Sequence, residues 1–167
     1  MIVVNSSPLI ILAKQGLLHL LEKCFQKAII PKSVYEEIMQ KKDNLEGIAL
    51  EKAIKDKLII VKKTDVIHAL DTKNIGQGEK EAISLASKHK SILIVDDDSA
   101  KKYASLFGVE AHGTLFIIYL SCIRKIIDRG DSIDILEGMI EDGFYISAET
   151  YRRFFELLDS LKKSSCL

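Results

Sequence analysis

Short runs of β-branched and aliphatic residues recur along this chain with helix-patterned segments between them, and that alternation constrains the fold more than any other feature. The runs are Ile2-Val3-Val4, Ala28-Ile29-Ile30, Leu58-Ile59-Ile60-Val61 and Ser91-Ile92-Leu93-Ile94-Val95, with Val109-Glu110-Ala111 as a short last member. After the first run, Ser6-Ser7-Pro8 supplies N-cap candidates with proline at the first helical position. The helical pattern continues through Leu9-Ile10-Ile11-Leu12 and, past Gly16, through Leu17 to Leu21. After the second run, Ser33-Val34-Tyr35-Glu36 opens a helix with a capping-box pattern. Residues 45–56 read as helix. A polar stretch from Asp71 to Gly78 leads into a helix from Glu79 to His89, and another helix is expected from about Ser99 to Phe107. Helices then fill 114–125, 131–142 and 148–163. Strands alternating with helices imply a parallel sheet covered on both faces. The expected fold class is therefore α/β, a three-layer α/β/α sandwich with a central parallel sheet of four to five strands. With no internal repeat, low-complexity segment or linker, residues 1–167 read as one domain.

Composition narrows the function classes. Hydrophobic residues make up 47% and charged residues 29% of the 167 positions, which suits a globular protein with a real core rather than a disordered chain. The three cysteines, Cys24, Cys122 and Cys166, are odd in number and far apart, so neither a disulfide framework nor a zinc motif is suggested. The apolar stretches are too short and too interrupted by charge to span a bilayer, and the first strand begins with no basic leader. The expectation is a soluble, cytoplasmic protein. Lys and Arg together number 24, as do Asp and Glu, so any electrostatic footprint for nucleic acid has to be local.

The polar residues gather where the strands end, and in an open parallel sheet that is where ligands bind. Asn5 ends the first strand, Asp96-Asp97-Asp98 follow Val95, and Glu79 begins the helix before that strand. Three adjacent aspartates repel one another, and a hard divalent cation relieves the repulsion. Carboxylate oxygens without a Cys or His cluster favour magnesium or manganese over zinc. If the chain stays extended past Val95, Asp96 and Asp98 share a side and Asp97 points away; the competing role for these aspartates is to cap the next helix. Glu79 lies on the apolar stripe of its helix with Ala82, Ile83 and Ala86, so its carboxylate faces inward, toward a metal or toward the first-turn amides of its own helix. Periodicity does not choose between Glu36 and Glu37. Glu36 is the capping-box partner of Ser33, which leaves Glu37 freer for the site. The four histidines show no metal spacing. Of the basic pairs, Lys101-Lys102 lies beside the acid cluster and is positioned to steer a phosphate backbone. Thr114, after His112-Gly113, reads as a helix N-cap bordering the cleft.

Taken together, the pieces Val4-Asn5-Ser6-Ser7-Pro8-Leu9-Ile10, Ile30-Pro31-Lys32-Ser33-Val34-Tyr35-Glu36-Glu37-Ile38, Gly76-Gln77-Gly78-Glu79-Lys80-Glu81-Ala82-Ile83, Val95-Asp96-Asp97-Asp98-Ser99-Ala100-Lys101 and Gly113-Thr114 resemble the PIN-domain superfamily. The resemblance runs nearly end to end and is to the prokaryotic branch related to toxin nucleases. It implies a PIN-like fold and a Mg²⁺- or Mn²⁺-dependent endoribonuclease acting on single-stranded RNA. By that resemblance the metal is held by Asn5, Glu37, Glu79, Asp96, Asp97 and Asp98, with Glu37, Glu79, Asp96 and Asp98 catalytic and Ser6, Lys101 and Thr114 touching substrate. It also implies RNA, an antitoxin protein and a second copy of the chain as partners, and no membrane. One departure stands out: the usual first acid is here Asn5, whose amide oxygen can ligate a hard cation but neither neutralises charge nor accepts a proton. The alternative expectation is accordingly a non-catalytic PIN-like module that binds RNA or protein. A receiver-like phosphoacceptor lacks its acid pair after the first strand, and a dehalogenase-type phosphatase lacks its aspartate nucleophile at Asn5.

Overall fold

A computed structural model describes residues 1–40 and 43–164; Cys166 lies outside them. Strands β1 (Ile2–Val4), β2 (Ala28–Pro31), β3 (Ile59–Lys62), β4 (Ile92–Ile94) and β5 (Ala111–His112) form one sheet in the order β3-β2-β1-β4-β5. All pairings are parallel, and Val3 lies opposite Ile29 on one side and Leu93 on the other. The chain steps outward from β1 to β3, then crosses back to lay β4 against the other edge of β1. Strand order therefore reverses between β1 and β4.

Alternation along the strands divides the core between two faces. Ile2, Val4, Ala28, Ile30 and Ile94 pack against α1 (Ser6–Lys14), α2 (His19–Phe25), α4 (Leu45–Lys55), α8 (Thr114–Ile123), α9 (Arg129–Glu141) and α10 (Ala148–Ser164). Val3, Ile29, Leu93 and Val95 pack against α5 (His68–Asp71), α6 (Gln77–His89) and α7 (Asp98–Leu106). Helix α3 (Lys32–Met39) follows β2 and buries Val34 and Ile38. The molecule is the expected three-layer sandwich, with five strands. Among the described residues no helix is long and apolar enough to cross a membrane.

Several local expectations shift. The cap of α1 is Asn5, extended at φ −85° and ψ 173°, so Pro8 sits third in the helix rather than first. Gly16, at φ +68°, breaks the run expected to continue to Leu21 into α1 and α2, because that left-handed backbone suits glycine. The Ser33 capping box does not form. The cap is Pro31, and the Ser33 hydroxyl instead donates to Glu81 Oε2 at 2.7 Å while Glu36 pairs with Lys32 at 2.5 Å. The single turn α5 ends where the polar Asp71–Gly78 stretch begins, in residues the sequence pattern assigns to no element.

Candidate functional site

At the strand-order reversal, the carboxyl ends of β1 and β4 open into loops and helix N-termini. The Asn5 backbone N–H donates to the Ile94 carbonyl at 2.9 Å, so the two strand ends are tied together. The Asn5 side chain is 3% exposed, and its Oδ1 has no hydrogen-bond partner among the described residues. A buried acceptor left unpaired costs about 1–3 kcal/mol. It is a ready oxygen ligand.

Glu37 reaches the same place from α3. A Cβ built on Gly78 would stand 3.4 Å from Asn5 Oδ1 and 3.5 Å from Glu37 Oε2, so both oxygens border one point above the first turn of α6. Only a residue without a side chain leaves that point open.

Glu79, in the same turn, caps its own helix through Oε2, which accepts from the Gly76 N–H at 2.5 Å. The self-capping role weighed for it from sequence is thus realised, but it uses only one oxygen. Burial pushes the Glu79 carboxyl above its ordinary range, and the negative charges of Asp97 and Glu37 push it the same way against the Gly76 N–H and the nearby Asn5 amide. Glu79, Asp97 and Glu37 therefore share one field, and the Asn5 side chain reaches Glu79.

The three aspartates part company. Strand β4 ends at Ile94 and α7 begins at Asp98, so Asp98 is already helical where sequence alternation assumed extension. Asp97 is the α7 N-cap, its Oδ1 accepting from Ala100 N–H at 2.7 Å, and it is the aspartate whose charge reaches Glu79. Asp98, expected beside Asp96 in the site, instead points outward with its side chain 87% exposed and bonds Lys101 Nζ at 3.0 Å. That ammonium holds the Asp98 carboxyl below its usual range. Asp96 is committed to anchoring: Oδ1 accepts from Thr114 N–H at 2.8 Å, and Oδ2 accepts from the Thr114 hydroxyl at 2.7 Å and the Ser7 hydroxyl at 3.4 Å.

The expected substrate contacts change accordingly. Thr114 is fully buried and spends its hydroxyl on Asp96, and Ser6 is buried while its neighbour Ser7 is exposed. Lys101 remains at the cleft, its Nζ 3.0 Å from the Asp96 carbonyl. Sequence reasoning missed Gly78 and Ser7. The signal for Gly78 was a glycine in the first turn of a helix directly before an inward-facing acid.

Among the described residues, no three His, Cys, Asp or Glu side chains stand close enough together to hold a metal ion by themselves. Magnesium does not require one, because it keeps several waters and takes one or two protein carboxylates. The donor set fits such an ion: an unpaired buried amide oxygen, one half-buried acid under mutual repulsion, and two exposed acids at the rim.

A family model described as a PIN domain, DUF3368, matches residues 1–160. Among solved structures, the chain is similar to a PilT N-terminus domain protein from the hyperthermophilic archaeon Sulfolobus solfataricus P2. The identity is 19% over 70% of this chain and 90% of that one, with a TM-score of 0.49. It is also similar to a domain of a functionally unknown protein from Methanocaldococcus jannaschii DSM 2661, at 21% identity, 67% and 89% coverage, and a TM-score of 0.43. No curated protein matches the chain.

Proposed function

The chain belongs to the PIN-domain family, whose members are generally nucleases using divalent metal ions, and on that premise we propose that it is a Mg²⁺- or Mn²⁺-dependent endoribonuclease acting on single-stranded RNA. The observation that carries this reading is the unpaired, buried Asn5 Oδ1 facing the same notch as Glu37, next to a Glu79 whose carboxyl is pushed up by burial and by its acidic neighbours. Asn5, Glu79 and Asp97 would hold the ion, with Glu37 at its rim. When bound, it supplies neutralisation of phosphate charge and a bound water of lowered pKa.

The remaining groups set up the surroundings. Asp96 fixes the N-terminus of α8 and the turn after β4, which positions Asp97 beside Glu79. Glu37, exposed on α3, is the carboxylate free to accept a proton from an attacking water. Lys101 offers a cation for a neighbouring phosphate. By the same reading an antitoxin protein and a second copy of the chain are proposed partners in the cytoplasm.

Cleavage of labelled single-stranded RNA with and without Mn²⁺ tests the activity: metal-dependent cutting that vanishes in Glu79→Gln supports it, and cutting that survives the substitution removes the site assignment. A second reading, a non-catalytic PIN-like binding module, is favoured by the neutral Asn5 where the family resemblance expects an acid. Calorimetry with Mn²⁺ separates the two, since the module gives no saturable binding.

A further inference from the structure

A groove leads away from the acidic turn along the first half of α8. Its inner part, about 250 Å³, is lined by Asp96, Lys101, Phe116 and Tyr145. The outer part shares Lys101 and Phe116 and adds His112 and Arg153, so the two are continuous.

The lining combines rings and cations. Tyr145, between α9 and α10, is 88% exposed, although a ring of its size gains from being covered. Phe116 lies parallel to His112, with centroids 4.0 Å apart and 11° between the planes, and Glu110 holds the imidazole at 2.7 Å. That pair already forms a flat, preorganised surface. Lys101 stands at the inner end, held by Asp98 at 3.0 Å, and Arg153 at the outer end makes no ion pair among the described residues, whereas its neighbour Arg152 pairs with Glu156.

The geometry points to a nucleobase subsite: a single-stranded RNA segment leaves the acidic notch along this groove, stacks a base on Tyr145 and passes its phosphates between Lys101 and Arg153. An exposed tyrosine ring and a half-buried His112–Phe116 pair interleaved with cations match a polyanion whose every unit carries a planar face. An apolar peptide has no use for the two cations, and an acidic peptide has no use for the stacking surface. A duplex is excluded because its bases are already stacked. This inference rests on the nuclease reading and names the groups that grip its substrate.

Fluorescence anisotropy of a labelled oligouridylate, measured in EDTA, tests the subsite without involving the metal. Tyr145→Ala is expected to weaken binding about tenfold while Tyr145→Phe binds as wild type. Arg153→Ala is expected to lower the slope of log affinity against log salt by about one, whereas Tyr145→Ala leaves that slope unchanged. A ribose-phosphate backbone lacking bases should bind wild type as weakly as oligouridylate binds Tyr145→Ala. The inference is overturned if wild type does not bind the oligouridylate, if Tyr145→Ala binds it undiminished, or if the abasic backbone binds equally well. Stacking that persists in a protein with no Mn²⁺ affinity would uphold the subsite and sink the nuclease reading alone.

Discussion

A half-buried carboxylate beside two others destabilises the fold when all are charged, and in this protein that conflict is concentrated on Glu79. Its raised pKa means the folded chain holds the proton more tightly than the unfolded chain. Between the ordinary carboxylate value and the raised one, the folded state therefore binds more protons, so stability of the metal-free protein should fall as pH rises through that window. Glu79→Gln keeps an oxygen for the Gly76 N–H and should flatten this slope in thermal melts taken across pH in EDTA; an unchanged slope would assign the pH dependence elsewhere. Asp97→Asn should weaken Mn²⁺ binding in calorimetry and Asp98→Asn should leave it alone, because Asp98 is turned outward and tied to Lys101. Gly78→Ala tests the opening itself. A methyl there gains helix propensity of up to about 1 kcal/mol but meets Val34 at 3.2 Å, so stability should change little while Mn²⁺ affinity drops. At this scale the sequence was legible where side-chain periodicity holds: Glu79 was found from the apolar stripe of α6. Alternation did not carry as far as Asp98, because it assumes an extended chain and Asp98 is already the first residue of α7.

Elements were legible where a run of aliphatic residues sat between polar boundaries, as at β1 and β4, and less so where a cap decides. Ser33 had the right spacing for a capping box, yet the nearby Glu81 carboxylate took its hydroxyl, a long-range contact that no local pattern shows. Helix α8 illustrates the opposite case, a start set by one tertiary anchor. Asp96 receives both the backbone N–H and the hydroxyl of the fully buried Thr114. Thr114→Val removes the hydroxyl bond to a carboxylate and should cost about 1.5–3 kcal/mol in urea unfolding, with the backbone bond retained. It should also loosen the groove wall and the turn that carries Asp97, so Mn²⁺ binding should weaken along with stability. If Thr114→Val were as stable as wild type, Asp96 would be free for the metal rather than committed to α8.

For the whole molecule, the strand order matters most. It brings Asn5, Glu37, Glu79 and Asp97, scattered over more than half the chain, to one end of the sheet at the β1–β4 reversal. A ligand binding only the folded state adds stability in proportion to the logarithm of its concentration over Kd, about 2.7 kcal/mol at a hundredfold excess. Mn²⁺ should therefore raise the melting temperature of the wild type and not of Glu79→Gln. The alternation of strands and helices made the sandwich readable in advance, while the convergence inferred from sequence favoured Asp96 and Asp98 over Asp97. The most direct test is anomalous diffraction from crystals soaked in Mn²⁺. One strong peak is expected in the notch, with oxygens of Asn5, Glu79 and at least one of Glu37 and Asp97 within about 2.0–2.6 Å, distances usual for a hard cation. A peak held instead by Asp96 and Asp98, or no peak near Asn5 at all, would contradict this placement of the metal.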